Sequence, residues 1–267
     1  MTPDLLPAPP DRAPDLEDDF TGPSLRTDLW VDHYLPHWST PERSVARYDL
    51  GPAGLRLRID ADQPDWREED APLRVSNLQT ATFSGPAGST VGTHRHRPDG
   101  LVVRTPTPTR LLWAPSAGRV DVTMTASRDP GTVLAAWLVG TEHRSERDSG
   151  EICLLEIDGE AAGERSCRVR TGLKAHHDDR LRTDMTELDV PIAGDQPHTW
   201  TAIWGDGVTV IGCDGVVLRR HEQAPDYPLV LLLDLFEVGP RSAPDAYPKT
   251  ALLHRVVGWD DRAGTRA

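Results

Sequence analysis

Punctuation constrains this chain more than any other feature. From residue 18 to residue 261, short segments rich in Val, Ile, Leu, Thr and Trp recur between clusters of Gly, Pro and Asp, and none sustains a helical period with caps at both ends. The segments include SVARYDL, GLRLRID, LQTATFS, GRVDVTMTA, GTVLAAWLVG, GEICLLEI, RSCRVRTG, HTWTAIWG, GVTVIGCDGVVLRR, YPLVLLLDLFE and ALLHRVVGW. Several alternate with period two, as in Leu55, Leu57, Ile59 and in Val120, Val122, Met124, the pattern of strands with one face on a core. That many strands in one chain predicts an all-β fold of two large antiparallel sheets packed face to face. Asp206-Gly207 and Asp214-Gly215 bracket VTVIGC, so residues 198–220 read as a three-stranded meander. Polar loops over 62–77, 86–100, 141–149 and 176–187 are placed to wall a groove.

The length, 267 residues, suits one large sandwich. Residues 1–16, dominated by Pro, Asp and Ala, predict a disordered leader, 17–261 a single domain and 262–267 a tail. A net charge of -13 argues against nucleic acid or an anionic membrane surface as partner. No segment has transmembrane length, and the first residues lack the basic and apolar order of an export signal, so the expected compartment is the cytoplasm, with export by another route left open. Cys153, Cys167 and Cys213 are odd in number and lack CxxC spacing, which predicts neither a disulfide framework nor a structural zinc. Lys174 and Lys249 are the only lysines.

One segment carries chemistry. SGEICLLEIDGE puts Glu151 and Glu156 in an apolar strand with Cys153 between them. Side chains alternate along a strand, so Glu151 and Cys153 share a face and Glu156, an odd five positions on, points to the other. A β-bulge, which adds one residue, puts all three on one face. Two carboxyls about 5–5.5 Å apart are what a retaining glycosidase needs, one as nucleophile and one as acid/base. The bland alternative is a half-solvated strand with both glutamates facing water.

The segment resembles the active-site strand of glycoside hydrolase family 16, whose bulged signature is Glu-Ile-Asp-Ile-x-Glu preceded by Gly. Gly150, Glu151, Ile152 and Glu156 match, and Cys153 stands where the family has Asp. Further similarities fall in order: DDFTGPSLRTDLW at Asp18 to Trp30, LAAWLVG at Leu134 to Gly140, QPHTWTAIWGDGVTVIGCDG at Gln196 to Gly215, YPLVLLLDL at Tyr227 to Leu235 and HRVVGWDD at His254 to Asp261. The resemblance implies a concanavalin A-like β-jelly-roll sandwich of two curved antiparallel sheets with a carbohydrate cleft. It implies a retaining hydrolase or transglycosylase of β-linked glucans or galactans, with Glu151 as nucleophile and Glu156 as acid/base. Cys153, a weak donor in place of a carboxyl, implies weakened catalysis. Trp137 and His176 are the expected sugar contacts, and an oligo- or polysaccharide is the expected partner of a monomer. The rival reading is a non-catalytic, lectin-like binding domain on the same fold.

Other candidates are weaker. Trp38, Trp66 and Trp113 read as core before sugar platforms, HYLPHW (His33 to Trp38) as a plug or a subsite, and His177 as loop. His94 and His96 form an H-x-H pair with no acidic or thiol ligand nearby in sequence, so no metal site is expected. No cofactor is expected either. Many members of the family carry a structural calcium, but His254 occupies the position matched to an acidic ligand, leaving Asp18, Asp19 and Asp260 as candidates.

Overall fold

The computed structural model describes residues 3–97 and 99–261. The strands, in chain order, are β1 (Leu16–Asp18), β2 (Arg47–Gly51), β3 (Gly54–Ile59), β4 (Arg74–Gln79), β5 (Ala81–Thr82), β6 (Arg110–Leu111), β7 (Gly118–Thr125), β8 (Thr132–Gly140), β9 (Glu151–Asp158), β10 (Cys167–Lys174), β11 (Asp184–Val190), β12 (His198–Gly205), β13 (Val208–Cys213), β14 (Val216–His221), β15 (Leu229–Glu237) and β16 (Lys249–Asp260). One sheet runs β14, β13, β12, β7, β16, β3, β2, with β1 added on β16; the other runs β11, β10, β9, β8, β15, β4. All pairings within them are antiparallel. The architecture is a β-jelly-roll sandwich. The only α-helix among the described residues is a single turn at Pro41–Ser44, and no helix is long and apolar enough to cross a membrane.

Alternation builds two apolar layers. Leu134, Ala136 and Leu138 of β8 and Leu229, Leu231, Leu233 and Leu235 of β15 pack against Leu55, Leu57, Val120, Val122 and Trp200 of the opposite sheet. The other faces of the same strands carry Val133, Ala135, Val139, Val230, Leu232 and Phe236, which are covered by Tyr34, Leu35, Trp38, Trp66, Leu101 and Val103 from the long loops. Strands β8 and β15 are therefore apolar on both faces over most of their length, Thr132, Asp234 and Glu237 being the polar exceptions. HYLPHW is a plug: Tyr34, Leu35, His37 and Trp38 are buried, and the Trp38 Nε1–H donates to the Thr93 carbonyl at 3.0 Å. Trp66 and Trp113 are core as well.

Three sequence expectations are corrected. Residues 3–16 do not form a disordered leader: Leu5 bridges Val216, Leu6 N–H donates to the Gly215 carbonyl at 2.9 Å, and Leu16 is buried within β1. The open edge of β14 supplies backbone partners, so this segment is held without an apolar core of its own. Strand β4 lies partly in the predicted 62–77 loop because its polar residues Ser76, Asn77 and Gln79 are buried, and β11 lies partly in the predicted 176–187 loop because an exposed edge strand shows little hydrophobic period. The proposed tail, 262–267, lies outside the described residues.

Candidate active site

The site is built on the loop-covered face of the six-stranded sheet, around β9. Ala136 of β8 pairs with Leu155 and Trp137 with Cys153, so Leu154 is an extra residue; β10 skips at the same level, where Arg170 faces Glu156 and Gly172 faces Cys153. Ile152, Leu154, Leu155 and Ile157 all point into the inter-sheet core. The bulge leaves Glu151, Cys153 and Glu156 together on the other face. Thr171 holds it, its Oγ1 lying 2.9 Å from the Cys153 carbonyl and 3.0 Å from the Leu154 carbonyl. Gly172 has φ +139°, and a Cβ there would meet the Asp184 carbonyl oxygen at 2.2 Å, so glycine is required where β10 takes up the skip. Gly150, which opens β9, has no room for a Cβ either: it would lie 2.3 Å from Leu181 and 2.5 Å from the Tyr227 hydroxyl.

The register sets three rows across the sheet. Lys174, Glu151, Val139 and Val230 form one; Gly172, Cys153, Trp137, Leu232 and Gln79 the next; Arg170, Glu156, Ala135, Asp234 and Asn77 the third. A carboxylate oxygen of Glu151, one of Glu156 and the Cys153 Sγ all lie within 4.8 Å of one another. Glu151 is 1% exposed, whereas the Glu156 side chain, at 13%, reaches solvent.

Cations hold the pair together. The Lys174 ammonium bridges both carboxylates, 2.9 Å from Glu151 Oε1 and 2.8 Å from Glu156 Oε1. Arg170 Nε–H donates to Glu156 Oε2 at 3.0 Å, and its two terminal nitrogens fork onto Asp158 at 2.6 and 2.9 Å. His176 Nε2 lies 2.7 Å from Glu151 Oε2, and because a carboxylate only accepts, that nitrogen carries the proton. Burial alone would push the Glu151 carboxyl up, but the His176 hydrogen bond, Lys174 and His94 outweigh it and hold its pKa at about 2. Glu151 is thus held as a carboxylate. Burial pushes the Cys153 thiol well above its ordinary value, with the Glu156 and Glu151 charges adding to the shift, so it is a neutral SH, whose Sγ lies 3.7 Å from the Arg170 carbonyl.

Replacing Lys174 by Met leaves two carboxylates facing each other in a largely buried site, and breaking such a pair costs about 3 kcal/mol. The expected loss is read from urea denaturation. Lys174→Arg recovers little of it, because a planar fork does not fit the point between two oxygens that one ammonium fills.

Trp137 is half-buried; Phe236 stacks on it with centroids 5.4 Å apart, and the Lys174 ammonium lies 5.2 Å from its centroid. His176 sits on the turn after β10 with its ring perpendicular to that of His94, centroids 5.2 Å apart. His177 points away from the pair, its backbone N–H donating to Ser149 Oγ at 3.0 Å and its Nε2 meeting the Arg95 carbonyl at 3.1 Å. Sequence reasoning missed Lys174, Arg170 and Asp234, and paired His94 with His96 and not with Glu151 and His176. Rarity marked Lys174, one of two lysines, and Asp234 interrupts the apolar run YPLVLLLDLFE. Burial, reinforced by the charges of Glu151 and Glu156, raises the Asp234 carboxyl well above the usual range against the opposing hydrogen bond from Asn77 Nδ2–H at 2.7 Å.

Glu142 fixes the loop that carries His94: its Oε1 accepts the His94 N–H at 2.6 Å and the Arg95 N–H at 3.3 Å. Burial pushes its pKa up to about 8 despite those bonds. Between about 4.5, where the unfolded carboxyl titrates, and about 8 the folded chain holds the extra proton, so this residue lowers stability as pH rises through that window. Glu142→Gln keeps the accepting oxygen and loses the titration. Its melting temperature is expected to exceed that of the parent at pH 8 and to approach it at pH 5.

The residues named for calcium do not converge. Asp18 accepts the Phe20 N–H and the Trp30 Nε1–H, both at 2.8 Å, Asp19 accepts from Thr21, and His254 Nε2 lies 2.8 Å from Thr125 Oγ1. Both Asp18 oxygens are thus committed inside the fold, whereas the Asp19 carboxylate lies at the surface.

Two sheets of this order form a β-jelly-roll sandwich, a fold shared with solved structures of glycoside hydrolases, one of them from family GH16. A GlcNAcα1-4Gal-releasing endo-β-galactosidase from Clostridium perfringens superposes with a TM-score of 0.77 at 21% identity, over 95% of this chain and 65% of that one. The chain therefore spans about two thirds of that enzyme's length. A non-specific endo-β-1,3(4)-glucanase from family GH16 superposes with a TM-score of 0.64 at 14% identity, over 96% of this chain and 97% of that one. The catalytic domain of an endo-1,3-β-glucanase (laminarinase) from Thermotoga petrophila gives 0.62 at 13%, over 92% and 97%. No family model matches the sequence, and no curated protein matches it by sequence.

Proposed function

We propose that the protein is a retaining glycoside hydrolase or transglycosylase acting on β-linked glycans, with Glu151 as nucleophile and Glu156 as acid/base. The observation that carries this reading is the bulge at Leu154, which brings carboxylate oxygens of both residues within 4.8 Å on one face. That spacing belongs to the double-displacement regime of about 5–5.5 Å, and leaves no room for the water that an inverting pair separated by about 6.5–9.5 Å accommodates. In the first step a Glu151 oxygen bonds to the anomeric carbon as the glycosidic bond breaks and Glu156 delivers its proton to the leaving oxygen. In the second, Glu156 takes a proton from water, or from an acceptor hydroxyl, whose oxygen displaces Glu151. His176 and Lys174 stabilise the carboxylate that leaves. The half-buried edge of Trp137 and the His176 imidazole meet the sugar, and the substrate is an oligo- or polysaccharide related to the glucans and galactans named for the neighbours.

The test is hydrolysis of a panel of β-glucans and galactans, with the anomeric configuration of the first product read by NMR. Retention supports the reading; inversion, or no product from any glycan, removes it. Cys153→Asp is expected to raise kcat about tenfold, the kinetic equivalent of one added hydrogen bond to a charged group.

A lectin-like binding domain is the second reading, favoured by Glu151 being 1% exposed and both carboxylates being ion-paired. It predicts glycan binding that Glu151→Gln leaves unchanged.

A further inference from the structure

We propose that His94, Glu151 and His176 form a binding site for a divalent metal ion of the zinc class, set over the carboxylate assigned above as nucleophile. One ligand atom from each lies within 4.8 Å of the others, although they come from three separate segments: the 92–97 loop, β9 and the turn after β10. Two imidazoles and one carboxylate are a donor set suited to zinc, nickel or cobalt, and poorly suited to calcium or magnesium, which take oxygens. The His94 ring is packed against Trp137, His96 and His176 at 6% exposure, with no hydrogen-bond partner among the described residues.

Tetrahedral zinc needs ligand atoms about 3.3 Å apart. His176 Nε2 and Glu151 Oε2, now 2.7 Å apart, open slightly to admit the ion, and the imidazole turns its Nε2 lone pair toward it, the proton there moving to Nδ1 or to solvent. His176, on a turn, is free to make that adjustment. Glu151 Oε1 remains on Lys174, whose charge is already shared with Glu156, and the ion approaches Oε2.

Two other clusters of metal-binding residues are poorer sites. Between Glu151, Cys153 and Glu156 the Lys174 ammonium already takes the cation's place. At His198, Cys213 and Asp214 both imidazole nitrogens are engaged, Nδ1 with Asp214 at 2.6 Å and Nε2 with the Ala193 carbonyl at 3.0 Å.

The metal site stands on geometry alone; its consequence, that bound metal silences Glu151, rests on the proposed function. The experiment is calorimetric titration of the full chain with zinc chloride, without glycan, beside parallel titrations with calcium and magnesium. One zinc per chain is expected, and no calcium or magnesium. His176→Ala, once its melting curve shows a folded chain, is expected to weaken zinc binding by more than the 10–100-fold that loss of an outer-shell partner costs. His94→Ala, once its melting curve shows a folded chain, does the same, and Cys213→Ser binds as the parent does. Failure of the parent to take up zinc overturns the site, as does His176→Ala binding as tightly as the parent. Hydrolysis is assayed separately with and without zinc. Zinc uptake in a protein that hydrolyses no glycan leaves the metal site standing and removes the nucleophile; hydrolysis without zinc uptake does the reverse.

Discussion

Glu151→Gln is expected to lower kcat for glycan hydrolysis by about 10⁴-fold or more, while the chain remains folded. The amide has nearly the shape of the carboxylate but cannot form the glycosyl ester, and losing a covalent nucleophile removes the pathway. Glu151→Ala makes a second test: with azide and a substrate carrying a good leaving group, the small anion enters from the vacated side and gives a glycosyl azide of inverted configuration. Turnover undiminished in Glu151→Gln would remove the residue from the chemistry. The same substitution changes acid stability. The carboxyl titrates near 4.5 in the unfolded chain and at about 2 in the fold, so the unfolded chain holds the extra proton between those values. Its stabilising contribution is complete above about pH 4.5 and is lost as pH falls toward 2, on the order of 3 kcal/mol in the parent. Glu151→Gln lacks that acid limb, which melting curves at pH 3 and pH 6 read directly.

The second large effect concerns the bulge. Deleting Leu154 makes β9 alternate regularly, and Glu151, Cys153 and Glu156 still share a face because the extra residue is what offset their odd spacing. The deleted side chain is fully buried, so the variant is expected to be about 2–5 kcal/mol less stable, yet to keep its turnover. Inserting one alanine between Leu155 and Glu156 has the opposite character. The register then turns Glu156 into the layer that holds Ile152 and Ile157, where an unpaired carboxylate costs several kcal/mol. That variant is expected to lose turnover entirely and to melt far below the parent. A deletion variant with native circular dichroism and no activity, from an active parent, would show that the bulge does more than orient Glu156.

Much of the sandwich was legible because burial on one face leaves a period of two. Leu55, Leu57 and Ile59, or Val120, Val122 and Met124, announce their strands without help from the rest of the chain, and the Asp-Gly turns mark the β12–β14 meander. The legibility failed where burial and polarity part company. β4 is polar and buried under the plug formed by Tyr34 to Trp38, and β11 is exposed at an edge, so neither shows the expected alternation. Composition predicts a disordered leader because it does not record the backbone hydrogen bonds to β14 that order residues 4–6.

At the site, sequence spacing raised the question of one face or two, and only the pairing of β8 and β10 with β9 answers it through the extra residue Leu154. The sequence by itself determined the all-β class, the pair of carboxylates and the thiol between them, because those are properties of one strand and its neighbours along the chain. Tertiary structure alone decided that Lys174 bridges the glutamates, that Arg170 and Asp158 flank Glu156, and that His94 meets Glu151 and His176. The physical reason is that charge and coordination act through a few ångströms of space, and the residues that set the chemistry of Glu151 lie up to 57 positions away in the chain.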